Sequence, residues 1–213
     1  MISSSRSSHH LRSCSPYTDH TPHTGLAYHC RLQTTLANSL REYFDGLLVR
    51  EITKKAELGD IKSHTFFMYN DLDKHKVILG SKNPHIFMDR GHLSTLAYSY
   101  AYDRTHLHAD LYTKTAKWVR RKKINGTLRE PDLYLYLRLS PHISMRRQLT
   151  SEGRPKEAPW SNRNFLIEYS TFCENYLKDL GSLANTYFID AMLPESKILD
   201  LSCGIIKKFN KQT

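Results

Sequence analysis

No part of the chain approaches the eighteen consecutive apolar residues of a membrane-spanning helix, so no segment is expected to cross a bilayer. The first 31 residues lack the apolar core of a secretory signal. They are Ser-rich, contain arginine and are nearly free of acid, as a transit peptide would be. Their histidines and their lack of helical periodicity weaken organellar targeting without excluding it. Cysteine is scarce: Cys14, Cys30, Cys173 and Cys203 form no C-x-x-C pair, which argues against a zinc ribbon or a dithiol redox motif. Four scattered cysteines in a chain of 213 residues read as reduced thiols, so an intracellular, cytoplasmic setting is expected.

Apolar residues are also sparse at the start. Ser3, Ser4, Ser5, Ser7, Ser8, Ser13 and Ser15 crowd it, and His9, His10, His20, His23 and His29 follow. Too little apolar surface is available there to offset ordering entropy, so residues 1–32 are expected to be a disordered or atypical segment, and residues 33–213 the domain. The histidines repeat no metal-ligand spacing, and a flexible tail is the preferred reading of them.

What is present suits one globular domain. Hydrophobic residues make up 39% of the chain, enough to bury a core at this length. The formal net charge is +10, which attracts phosphate in nucleic acid, nucleotide or anionic lipid, or merely keeps the surface solvated. Leu36, Leu40, Tyr43 and Phe44 recur at helical spacing from Gln33 onward, and Asp45-Gly46 ends that helix. Short apolar runs at Leu47–Val49, Ile86–Met88, Leu133–Leu139 and Tyr187–Asp190 read as strands. Helices are expected at 63–75, 93–101, 108–122, 163–178 and from Pro194 onward, with Ser140-Pro141 opening another. Alternation of strands and helices predicts an α/β layered fold with one parallel sheet. Ligands in such folds bind beyond the carboxyl ends of the strands. Arg50-Glu51, Asp89-Arg90 and the Ser140 region fall there.

Two acid–arginine pairs at two strand ends suit phosphate chemistry. Arg50 and Arg90 would clamp a phosphate bidentately, and Glu51 and Asp89 would hold magnesium. The competing reading, an ion-pair network that only steadies strand ends, fits a single pair better than two. Arg146, Arg147, Arg154, Lys156 and Arg163 form a second basic group around residues 150–162. That breaker-rich loop reads equally as a lid over a polyphosphate or as a solvated basic loop.

Asp89-Arg90-Gly91-His92-Leu93-Ser94-Thr95-Leu96-Ala97-Tyr98 resembles the thymidylate kinase signature, aspartate-arginine-x-x-x-serine-x-x-alanine-tyrosine. Arg50-Glu51 resembles that family's arginine-glutamate-proline. Asn70-Asp71-Leu72-Asp73-Lys74-His75 resembles its acceptor helix. Pro131 to Leu137, with Ser140-Pro141 and Arg146-Arg147, resembles the strand and helix before its lid, and Tyr136 to Pro141 is similar to deoxynucleoside kinases. The resemblance spans about residues 33–212. It implies a three-layer P-loop kinase fold that transfers a phosphoryl group from ATP, with Mg2+, to a deoxynucleoside monophosphate, dTMP by default. It also implies roles. Arg90 would contact the acceptor phosphate. Glu51 and Asp89 would organise magnesium. Ser94, Tyr98, Phe67 and Met68 would line the acceptor site, and Arg147 and Arg154 would belong to the lid. Thr34 and Thr35 would open the helix that follows the phosphate loop and contact the nucleotide.

The departures concern both substrates. Ser99 replaces a glutamine, Leu72 an arginine and Ile52 a proline, which leaves the acceptor open. In the G-x-x-x-x-G-K-[ST] pattern, Ala27 and Leu32 stand at the glycine positions and Gln33 at the lysine. No apolar strand precedes them, since His20 to Tyr28 is polar and broken by Pro22 and Gly25. The first strand and phosphate loop are therefore expected to be degraded or replaced, and transfer impaired. Three readings follow: a nucleoside monophosphate kinase or a deoxynucleoside kinase-like enzyme, a non-catalytic nucleotide-binding or interaction protein on that scaffold, and a basic nucleic-acid module. The last has charge but no motif. A homodimer stays open.

Overall fold

Leu32, Leu36 and Leu40 recur every fourth residue, and burial of that stripe makes Tyr28–Phe44 an amphipathic helix, α1. The computed structural model describes residues 28–50, 61–106, 110–149, 159–180 and 185–212. After α1 come β1 (Leu47–Val49), α2 (Ile61–Gly80), β2 (Ile86–Met88), α3 (His92–Thr105) and α4 (Leu111–Ile124). They are followed by β3 (Leu133–Arg138), α5 (Pro141–Leu149), a 3-10 turn (Pro159–Ser161), α6 (Arg163–Asp179), β4 (Asn185–Asp190) and α7 (Glu195–Phe209). Local chemistry sets several ends. Ser140 Oγ accepts from the Ile143 amide at the start of α5, and Asn162 Oδ1 accepts from Asn164 and Phe165 at the start of α6. The Asp103 carboxylate, on α3, caps α4 instead of a local residue, accepting from the Leu111 and Tyr112 amides at 2.9 and 2.8 Å.

All four expected strands form, and all their pairing is parallel. The expected α/β fold with parallel strands is present, and among the described residues the four strands form two ladders. Leu47, Leu48 and Val49 pair with Ile86, Phe87 and Met88, while Leu133–Arg138 pairs with Asn185–Asp190, as two separate two-stranded ladders. Among the described residues no strand joins β2 to β3.

Three layers result. On one face α1 and α7 bury Leu32, Leu36, Leu40, Ile198, Cys203 and Ile206 against Leu137 and Ile189. On the other, Leu93 and Ala97 of α3 and Cys173 and Leu177 of α6 pack against Tyr134 and Tyr136. The β3 sequence divides its side chains accordingly: alternate leucines face α1 and α7, alternate tyrosines face α3 and α6. Leu96, Val119 and Leu128 join α4 to α3. No helix among the described residues is long and apolar enough to cross a membrane.

His64 shows how closely the helices meet. It is buried on α2, with Nε2 2.8 Å from Thr115 Oγ1, whose hydroxyl donates to the Leu111 carbonyl. Burial lowers its pKa from 6.5 to about 4, against the opposing charge of Asp103. An unfolded chain therefore takes up this proton first. Stability is expected to fall as pH drops from 6.5 toward 4, with His64 contributing up to about 3 kcal/mol of that fall. Urea unfolding across that range should show a shallower acid slope for His64→Phe. Identical slopes would contradict a buried neutral imidazole.

Candidate functional site

The carboxyl end of β2 gathers polar groups from three elements. The Asp89 amide donates to the Val49 carbonyl at 3.0 Å, which locks the strand end. Asp89 Oδ2 accepts from Thr34 Oγ1 of α1 at 2.6 Å. The Asp89 carbonyl accepts from Lys74 Nζ of α2 at 3.0 Å, and Lys74 is only 3% exposed. Arg50, beyond β1, donates to Asn38 Oδ1 at 2.6 Å, and Asn38 Nδ2 donates back to the Thr34 carbonyl at 2.8 Å. One run of hydrogen bonds thus ties Arg50 to Asp89 through α1. Asp89, Arg90 and Ser94 line a shared cavity with Gln33, and Arg50 does not line it.

Arg90 has φ 60, in the left-handed region that a long side chain rarely adopts. The fixed Asp89 amide before it and the Ser94 amide donating to the Gly91 carbonyl after it, at 2.8 Å, hold the turn. Its guanidinium lies 5.9 Å from the Trp160 ring centre. Trp160 meets Tyr98 at 5.8 Å, and Tyr98 also packs on His64, Tyr102 and Phe165. Burial raises the Tyr98 phenol to about 12, so it stays neutral near pH 7. The arrangement is an aromatic wall with a cation over one edge.

The sequence reading singled out neither Lys74, Trp160 nor Glu130. Glu130 accepts from Tyr134 at 2.6 Å, Tyr176 at 2.8 Å, His92 at 3.3 Å and Lys123. Burial pushes its carboxyl up, but the hydrogen bonds of His92, Lys123 and Tyr134 outweigh that and hold it well below the usual carboxylate range. Asp71 of the acceptor helix accepts from Thr95 at 2.7 Å, and burial raises its pKa. The one available signal was that Asp71, Lys74 and His75 lie on one helical face, every third or fourth residue, and all three are buried.

The other expected site residues are more dispersed. Phe67 and Met68 are half-buried on α2, with Phe67 edge-on to Phe66 at 5.6 Å. Thr35 is half-buried beside Thr34 on α1. Arg147 Nη2 lies 3.5 Å from Met192 Sδ, beyond the end of β4. Glu51 and Arg154 lie outside the described residues, as do residues 150–158 of the expected lid. Leu32 and Gln33, at the glycine and lysine positions of the phosphate-loop pattern, are both helical within α1.

No family model matches the chain, and no curated protein matches it. Solved structures do. Deoxyadenosine kinase from M. mycoides with bound dATP superposes with a TM-score of 0.62 at 17% identity, over 88% of this chain and 97% of that one. The same enzyme with dCMP and dCDP gives 0.60 at 17% identity, over 86% and 95%. Thymidylate kinase from Candida albicans gives 0.61 at 16% identity, over 85% and 88%. The chain therefore has a P-loop kinase fold of the thymidylate kinase and deoxynucleoside kinase type.

Glu130 supplies the prediction for this region. Glu130→Gln keeps the shape and removes the charge that groups from four elements share, so it should cost about 1–3 kcal/mol in urea unfolding at neutral pH. Because the folded carboxyl lies below its ordinary value of 4.5, its contribution is complete above that pH and is lost as pH falls further. The gap between variant and parent should narrow well below pH 4.5. A gap independent of pH would show that packing, not charge, carries the effect.

Proposed function

We propose that the chain binds a deoxynucleoside or its monophosphate at the acceptor site of a nucleotide kinase scaffold, and transfers phosphate from ATP poorly. The observation that carries this reading is a contrast within one helix. The Thr34 hydroxyl of α1 reaches Asp89 beside Arg90, while Leu32 and Gln33, just before it, lie in the interior of the same helix. A helix commits its amides to its own carbonyls after the first turn, so those residues do not wrap a polyphosphate as a glycine-rich loop does.

The residues divide by role. Arg90 would clamp the acceptor phosphate, with the Trp160 and Tyr98 rings walling the base and Ser94, Phe67 and Met68 completing the site. The Thr34 hydroxyl and Asp89 carboxylate, 2.6 Å apart, present two oxygens that suit Mg2+, which in such sites keeps waters and substrate phosphates as its other ligands. Glu51 would be a further oxygen ligand. Mg2+ would neutralise the charge of the transferring group. Arg50, Thr35, Arg147 and Arg154 would face the ATP side. Lys74, buried at the same strand end, would add positive charge near Asp89. A deoxynucleoside or deoxynucleotide acceptor is supported by structures of this fold that hold dATP, dCMP or dCDP, with dTMP the default by the Asp89–Tyr98 signature. The domain is taken as the sequence reading gave it, residues 33–213, with α1 beginning slightly earlier at Tyr28.

Calorimetry with dTMP and with deoxyadenosine tests the acceptor site. Arg90→Ala should weaken binding by about 1.5–3 kcal/mol, the range for a lost charge-assisted hydrogen bond. Unchanged affinity would remove Arg90 from the site.

A coupled assay with ATP and Mg2+ tests the donor side. Loss of one preorganised donor costs about a hundredfold to a thousandfold. The chain lacks the loop lysine and its flanking glycines together, so turnover should lie at background even where the acceptor binds. Robust turnover would overturn the impairment.

A further inference from the structure

More than half of the chain's excess positive charge sits on one helix. The 14 residues of α4 include six cations and no acid, against a formal net charge of +10 for the whole chain. Leu111, Thr115 and Val119 turn the inner side of α4 to the core. Its outer side is made of Thr113, Lys114, Lys117, Arg120, Arg121 and Ile124, all exposed. Residues three and four apart share a helical face, so four cations and one isoleucine form a ridge about 15 Å long. Lys123, on the flank, pairs with Glu130. The side chains of the four ridge cations have no ion-pair partner among the described residues.

Helix electrostatics do not account for the ridge. Cations are favourable in the last turn of a helix, where Arg121 lies, but Lys114 stands near the amino end, where a cation is unfavourable. Lys117 is three residues from both Lys114 and Arg120 and four from Arg121, and like charges at those spacings oppose a helix. The cavity at the strand ends does not account for it either, since no residue of α4 lines it. The charge is directed outward, to an anionic partner.

Ile124 decides which one. At 74% exposure it is the most exposed large apolar side chain among the described residues, and it stands one turn beyond Arg120 on the same face. We infer that the outer face of α4 docks on an anionic lipid bilayer, with Lys114, Lys117, Arg120 and Arg121 at the lipid phosphates and Ile124 entering the boundary with the acyl chains. A bilayer surface offers negative charge and apolar volume side by side, and helices that lie on it combine basic and apolar residues in this way. The long stems of Lys and Arg let their charged heads stay at the phosphates while a shorter apolar side chain goes deeper. A polynucleotide is engaged through stacking aromatics or amide side chains as well as through phosphate, and the ridge carries neither. The proposal is independent of the nucleotide reading, because α4 and the strand ends are separate surfaces.

The test is co-sedimentation of the full chain with vesicles of phosphatidylserine and phosphatidylcholine, mixed at about three to seven, in about 0.1 M salt. The chain should bind these vesicles and leave pure phosphatidylcholine unbound. Each basic residue at an anionic surface is worth about fivefold in partitioning, so Lys117→Gln with Arg120→Gln should weaken binding about 25-fold. Ile124→Asn keeps every charge and should weaken binding about fivefold. Lys197→Gln with Lys208→Gln removes equal charge from exposed positions of α7 and should change binding less than about threefold. Every substituted position is exposed, and an unchanged urea midpoint checks that the fold is kept. No binding to the anionic vesicles would overturn the proposal. An equal loss in the α7 variant would overturn it by reducing the effect to net charge. Unchanged vesicle binding by Ile124→Asn, or tighter binding to duplex DNA or polyglutamate than to vesicles at the same salt, would also overturn it and assign the ridge to an anionic polymer.

Discussion

The structure depends on the burial of one stripe of α1. Leu32, Leu36 and Leu40 pack with Leu137, Ile189 and Ile206, on the β3–β4 side of the molecule. The same helix reaches the β1–β2 pair through Phe44, whose ring lies 6.0 Å from Phe87, and through Thr34 on Asp89. Each fully buried leucine contributes about 1.5–3 kcal/mol, so this stripe is comparable to the whole net stability of a small domain. Among the described residues β2 and β3 share no hydrogen bonds, so helices, not the sheet, hold the two ladders in register.

This constraint explains what was legible in the sequence and what was not. The strands at Leu47, Ile86 and Leu133 were visible as apolar runs because each is packed on two faces, and the strand at Tyr187 began two residues earlier, at Asn185. Helix types were visible because their stripes follow the helical period, and the Ser140 cap was visible from its Ser-Pro pair. The division of the sheet was not visible, because pairing is decided by which strand lies between two others, and a run of apolar residues carries no neighbour list. Asp89, Arg90 and Ser94 were legible as a group because they lie within six residues. Lys74 was not, because one lysine on a helix reads as a solvated charge until the fold buries it. Glu130 was equally hidden: its partners Lys123, His92, Tyr134 and Tyr176 are brought together from three helices and a strand.

The polar groups sort into two kinds, and the sorting bears on chemistry. Those around Glu130 and Asp71 are carboxylates held by hydroxyls, an imidazole and an ammonium group; Glu130 braces helices against β3, and Asp71 joins α2 to α3. Those around Asp89 combine bracing with access. Asp89 and Arg90 line the cavity, the Arg90 backbone is held in a strained left-handed turn, and an aromatic wall stands beside its guanidinium. Strain retained at a strand end beside a cavity is the pattern of a binding site more than of a structural ion pair.

The same geometry separates the two halves of a phosphoryl-transfer site. Acceptor recognition in the proposed reading needs side chains fixed on rigid elements, and β2, α2 and α3 hold Asp89, Lys74 and Leu93 through their own packing. Donor recognition needs main-chain amides that are not already bonded, presented by a turn between a strand and a helix. In this chain α1 extends back to Tyr28, so the amides of Leu32 and Gln33 fall within a helix and are not presented by a loop. A side chain can be replaced by another of similar charge from a neighbouring element. A set of converging main-chain amides has no such substitute, because the conformation that exposes them is itself the site.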